Sequence, residues 1–128
     1  EGGIRVPAII RYPGTVEPGS VNDTPVIGMD WFVTLAEIGG GTLPDDREID
    51  GIDISPLFAG DKLSERSLFW ALDREIDGVE NSVSNLEYAI RRDNWKLFLD
   101  KNGLARELYN LVEDPLEFFN LINCFWVF

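Results

Sequence analysis

Between Ser67 and Leu111 the sequence breaks into short aromatic or β-branched runs separated by turn residues, and this pattern constrains the fold more than any other feature. Ser67-Leu68-Phe69-Trp70-Ala71-Leu72 and Tyr88-Ala89-Ile90-Arg91-Arg92 suit a pleated, half-buried surface. Trp95-Lys96-Leu97-Phe98-Leu99 follows the break at Asp93-Asn94, and Glu107-Leu108-Tyr109-Asn110-Leu111 follows Lys101-Asn102-Gly103. Neighbouring strands joined by short polar breaks pair antiparallel, so a small antiparallel sheet is expected. Asp114-Pro115 ends it, and Leu116 to Leu121 is expected as a helical turn carrying Phe118 and Phe119 inward.

Upstream, Val6-Pro7-Ala8-Ile9-Ile10 is a continuous apolar run that stops at Tyr12-Pro13-Gly14, the pattern of a buried strand closed by a turn. A helix is expected from Asp23-Thr24-Pro25 through Met29, Trp31, Phe32, Leu35 and Ile38, with Gly39-Gly40-Gly41 ending it. Ser55-Pro56-Leu57-Phe58-Ala59-Gly60 reads as a short helix with serine as N-cap and proline at its first position. The hexapeptide Asp46 to Gly51 recurs as Asp73 to Gly78, but the flanks differ. A stacked repeat needs the whole unit to recur, so the coincidence is one of turn chemistry.

Charge narrows the partners. The 128 residues carry 11 Lys plus Arg against 23 Asp plus Glu, a net charge of -12, which repels nucleic acid and anionic membrane surfaces. No stretch has the length to span a bilayer, and Glu1-Gly2-Gly3 does not open a signal peptide. A chain opening on that phrase without Met is expected to be the interior of a longer reading frame.

The chemistry available is sparse. Ester hydrolysis needs a nucleophile, a counter-charge for the oxyanion and a proton donor, yet the chain has no histidine. The single cysteine, Cys124, has no neighbouring base and reads as a buried thiol near a frayed terminus. Asp45, Asp46, Glu48, Asp50 and Asp53 cluster, but their spacing is not that of a calcium loop and Arg47 among them argues for local pairing. Arg5 and Arg11 flank the first expected strand, where a guanidinium could clamp an anion; a structural salt bridge or a solvated rim is the preferred reading. Trp70 and Trp95 could line a sugar site and are assigned to the core instead.

Motifs in sequence order carry a family resemblance. Glu1-Gly2-Gly3-Ile4-Arg5-Val6-Pro7 with Ile10-Arg11-Tyr12-Pro13-Gly14 resembles the sulfatase stretch that leads into a sheet strand. Asp30 to Gly39 looks like the helix that follows, and Ile49 to Gly60 resembles the Asp-Gly-x-Asp-hydrophobic-x-Pro-Leu signature. Arg66 to Trp70 is similar to an Arg-x-Leu-Phe-Trp element, and Ala89 to Leu97 to an Ala-Val-Arg-x-Gly-x-Trp-Lys-Leu strand pair. Glu107 to Leu111, then Asp114-Pro115 with Glu117 and Asn120-Leu121, resemble the closing strand and turn.

The resemblance is to sulfatases of the arylsulfatase type, in the alkaline-phosphatase-like superfamily, and to their C-terminal portion. It implies an α/β enzyme, with this stretch itself α+β: residues 1–62 as the last strand and helices of the α/β domain, 63–121 as a small antiparallel subdomain, and 122–128 as an atypical apolar tail. It implies hydrolysis of sulfate esters by a parent enzyme that uses calcium and a formylglycine. It implies a sulfated small molecule or glycan as the partner of the missing N-terminal domain, and a family commonly exported. The formylglycine motif, the acidic metal ligands and the active-site lysine belong to family segments preceding Glu1, so no catalytic residue and no metal ligand is assigned here. Glu1, Gly2, Gly3 and Arg5 are assigned to positioning on the substrate side. The alternatives are a related phosphodiesterase or phosphoethanolamine transferase, or a non-catalytic glycan-binding or structural module.

Overall fold

A computed structural model describes residues 1–71 and 86–124. These form two compact units, residues 8–64 and residues 1–7 with the chain from 65 onward. Each is described by itself.

The second unit is built on the expected sheet. Strands β1 (Ser67–Ala71), β2 (Leu86–Arg92), β3 (Trp95–Asp100) and β4 (Ala105–Asn110) pair antiparallel in the order β1-β2-β3-β4. The β2–β3 hairpin closes through Asp93 and Asn94, with Asp93 left-handed at φ 52°, a conformation that Asp tolerates. At the β3–β4 loop the Asp100 carboxylate accepts the Asn102 and Leu104 N–H groups at 2.8 and 3.0 Å, and Gly103 takes φ 77°. The register sets Leu68, Arg91, Lys96 and Tyr109 in one row across all four strands, on one face.

The outer edge of β4 is closed by a side chain. Asn120 Oδ1 accepts the Leu108 N–H at 3.1 Å, Asn120 Nδ2 donates to the Arg106 carbonyl at 3.0 Å, and the Leu121 N–H donates to the Leu108 carbonyl at 2.8 Å. The amide thus replaces one residue of a neighbouring strand. The expected helical turn at Leu116 to Leu121 does not form: Asp114 Oδ2 takes the Phe119 N–H at 2.7 Å, Glu117 turns left-handed at φ 59°, and Phe118 and Phe119 are exposed. A short 3-10 turn, Ile122–Cys124, follows and leaves Cys124 exposed, not buried, because Leu121 and Ile122 take the covered positions beside β4. Trp95, expected in the core, is 40% exposed at the hairpin end of β3, and Trp70 is half-buried. Leu72 and the second copy of the hexapeptide lie outside the described residues.

Residues 8–64 contain one α-helix, α1 (Gly28–Ile38), and a 3-10 turn at Ser55–Ala59. The helix starts later than Asp23-Thr24-Pro25. Asn22 Oδ1 accepts the Thr24 N–H at 2.9 Å, Pro25 disfavours helical backbone before it, and the operative start signal is Asp30, whose carboxylate reaches back to the Ile27 N–H at 2.8 Å. It ends at the expected glycines: Gly40, at φ 69°, donates to the Glu37 carbonyl, and Gly41 to the Ala36 carbonyl. In the 3-10 turn proline is near the start, as expected, and Gly60 follows its end in a left-handed conformation, but the N-cap is Ile54. Ser55 instead donates from Oγ and from its backbone to Asp53, at 2.6 and 2.8 Å.

The expected first strand is absent. Val6 is 74% and Ile9 96% exposed, and no strand among the described residues pairs with this stretch. A β-branched run becomes a strand only when its backbone donors and acceptors meet a ladder partner, and Pro7 removes one donor besides.

Candidate functional site

On the row that crosses the sheet, Lys96 is a fully buried cation. Its side chain is 2% exposed, and Nζ stands 2.9 Å from Glu1 Oε1 and 2.7 Å from Glu117 Oε1. The same ammonium lies 4.7 Å from the centre of the Phe98 ring, which covers it on the sheet side. Arg91, beside Lys96 in the register, places a guanidinium nitrogen 3.4 Å from Glu1 Oε2. The Glu1 backbone nitrogen, here the terminal ammonium, donates to Glu117 Oε2. Glu117 Oε1 has ionic compensation from Lys96 without hydrogen-bond geometry.

Three motifs far apart in the chain meet here: the opening Glu-Gly-Gly, the Trp-Lys-Leu of β3, and the Asp-Pro-x-Glu turn. Burial pulls the Lys96 ammonium pKa down, but the Glu117 and Glu1 carboxylates outweigh it and hold the pKa above its ordinary value. Burial likewise pushes Glu117 up, and Lys96 together with the Glu1 nitrogen overrides it, keeping the carboxyl below its usual range. Nearby, Tyr109 donates to Glu107 Oε2 at 2.9 Å. Burial and then the Glu107 carboxylate push its phenol up to about 12.

The residues assigned to positioning stand as follows. Glu1 is the buried anchor, its side chain 6% exposed. The Glu1 carbonyl accepts the Ile4 and Arg5 N–H groups at 3.0 and 2.9 Å, closing a turn over residues 1–5. Gly2 and Gly3 are bare: a Cβ built on either meets nothing within 4 Å. Arg5 is exposed, with no acidic partner among the described residues. Arg11 is exposed likewise. Lys96 and Glu117 were legible as parts of motifs, but as a pair they were not, because nothing in the spacing indicates a contact across the fold.

The acidic cluster behaves as its interleaved arginine suggests. Arg47 forks onto both Asp46 oxygens at 2.8 Å in full solvent, and Asp53 is engaged by Ser55. The calcium and formylglycine implied for the parent enzyme do not fit these residues. Among the described residues no group of three or more His, Cys, Asp and Glu side chains could hold a metal ion, and Cys124 is followed by Phe125-Trp126, not by the proline and arginine of the formylglycine motif. No helix of the described residues is long and apolar enough to cross a membrane.

The other unit has its own ordered polar feature. Asp30 and Thr34, both fully buried on α1, receive the Ile52 and Ile54 N–H groups at 3.1 and 2.9 Å. Gly51 passes so close to the helix start that a Cβ would stand 2.2 Å from the Met29 carbonyl oxygen. The Asp-Gly-x-Asp signature is thereby explained as a backbone docked on a helix terminus.

A four-stranded antiparallel sheet that anchors the Glu-Gly-Gly phrase, and a separate unit built on one α-helix, agree with the C-terminal portion of an alkaline-phosphatase-like sulfatase fold. The family profile described as N-sulphoglucosamine sulphohydrolase, C-terminal, matches residues 1–125, and the chain belongs to that family. A sulfatase of Formosa agariphila is 37% identical over 130 residues, covering 95% of this chain and 23% of its own length. The steryl-sulfatase of Homo sapiens is 50% identical over 60 residues, 47% of this chain and 10% of the enzyme. A protein solved in complex with its substrate D-glucosamine-2-N,6-O-disulfate superposes with a TM-score of 0.71 at 26% identity, over 88% of this chain and 23% of that one. The chain therefore spans under a quarter of the length of these relatives.

Proposed function

We propose that this chain is the C-terminal part of a sulfatase that hydrolyses sulfate esters, contributing placement and not bond-breaking chemistry. The observation that carries the reading is the family match over residues 1–125. Residues 1–62 serve as the end of the α/β domain and residues 63–121 as the subdomain attached to it. The nucleophile, as a formylglycine, and a calcium ion belong to the rest of the parent enzyme. Glu1, Gly2, Gly3 and Arg5 are substrate-side positioning residues. The bareness of Gly2 and Gly3 supports this, since packing among the described residues makes no use of it and it leaves room for close approach. The Arg5 guanidinium, without an acidic partner among the described residues, suits a sulfate oxyanion in its fork geometry. A sulfated amino sugar is the substrate class to try first, because a structural relative was solved with one.

The test is sulfate release from 4-nitrophenyl sulfate and from D-glucosamine-2-N,6-O-disulfate, by the protein of the whole reading frame and by the 128-residue chain. Release by the former alone is expected. Turnover by the 128-residue chain would overturn the division of labour, and no release by either would overturn the sulfatase reading.

A further inference from the structure

The turn at residues 1–5 has few attachments. Gly2 and Gly3 have open space where a side chain would begin, Ile4 is 38% and Val6 74% exposed, and the turn's own hydrogen bonds run back to the Glu1 carbonyl. What ties it to the sheet, among the described residues, is Glu1: its carboxylate on Lys96 and Arg91, and its nitrogen on Glu117. That last donation is open to an amide N–H as well as to an ammonium. Lys96 is fixed by β3 and roofed by Phe98; Glu117 is fixed by the turn that Asp114 organises.

We propose that Lys96, braced by Glu117, is a positioning residue that fixes Glu1 and through it the location of the Arg5 guanidinium. The inference rests on the reading that residues 1–5 lie on the substrate side. A buried ammonium between two carboxylates suits this task better than an apolar contact, because it accepts one arrangement of the partner and penalises displacement by leaving a charge unpaired. An apolar peg of similar volume would tolerate sliding. The structural alternative is that Lys96 serves the sheet alone.

Amide hydrogen exchange on the 128-residue chain separates these, read at Ile4 and Arg5 and, as control, along β3. In both Lys96→Met and Glu1→Ala, exchange at Ile4 and Arg5 is expected to rise about tenfold or more while β3 holds its protection. Should Lys96→Met fail to fold, Glu1→Ala, which breaks the same contact from the turn and leaves β3 unaltered, decides. Unchanged exchange at Ile4 and Arg5 overturns the clamp, and so does a rise that β3 shares in Glu1→Ala. In the full-length enzyme each variant is expected to lower kcat/KM about 10–100-fold, with the double variant no worse than either single one. Faster exchange with unaltered kinetics sinks the substrate-side reading and leaves the clamp standing.

Discussion

Among the described residues, β1 to β4 close their backbone in one antiparallel ladder, whereas residues 8–64 hold their loops with side chains reaching across them. In the sheet unit the buried row mixes Leu68 and Tyr109 with an ion cluster around Lys96. In the helical unit the buried set is Val33 and Ile54 with Asp30 and Thr34, and the last two act as pegs for the Asp50 to Ile54 backbone. Apolar residues on α1 face outward: Met29, Phe32, Leu35 and Ile38 are 39–58% exposed. The contrast teaches that in this chain polar side chains, more than apolar area, specify how distant segments meet. Buried polar groups are expensive unless satisfied, so each fixes one geometry.

If that holds, the largest effect will come from Lys96→Met, which leaves the Glu1 and Glu117 carboxylates facing each other. A loss of about 3–5 kcal/mol in urea denaturation is expected. A loss below about 1 kcal/mol would mean the sheet unit is held by its ladder alone and would break the comparison. Next in size is Gly51→Ala, where the new methyl collides with the Met29 carbonyl. It should cost about 1–3 kcal/mol and perturb the Ile52 and Ile54 amide resonances while those of β2 and β3 stay in place. Equal disturbance in both units would argue against their separate construction.

Acid provides a gentler probe. Because the folded pKa of Glu117 lies below its ordinary 4.5, its contribution is fully present above that value and is lost as pH falls through the depressed one. Stability of the wild-type chain is therefore expected to fall below about pH 4.5, and Glu117→Gln should flatten that limb in pH-dependent melting curves. At the other extreme Lys96, held above 10.5, keeps its contribution until pH rises past that value. The smallest effect belongs to Asp46→Ala: the fork with Arg47 lies in solvent, and no measurable change in Tm is expected.

The sheet was legible in the sequence because its signals are local: Asp93-Asn94 and Lys101-Asn102-Gly103 sit where the hairpins turn, and aromatic runs mark the strands between. The end of α1 was legible for the same reason, its glycines supplying a left-handed residue where one was needed. Val6 to Ile10 misled because the composition of a strand says nothing about a ladder partner. The start of α1 misled because Asp23 and Asp30 are equally good capping residues on paper, and only the fold shows which carboxylate reaches a free N–H. Of the site, Glu1 and Arg5 were visible through a family phrase. The pairing of Lys96 with Glu1 and Glu117 spans most of the chain and leaves no trace in periodicity.

Asn120 has a consequence for assembly. By filling the hydrogen-bonding positions beyond β4, it leaves the sheet with two unlike margins: one occupied by the chain's own amide, the other, β1, paired among the described residues with β2 alone. A foreign strand that approached Ala105–Asn110 would find the Arg106 carbonyl and the Leu108 N–H already taken, so this margin resists edge-to-edge pairing without a proline or a charge to block it.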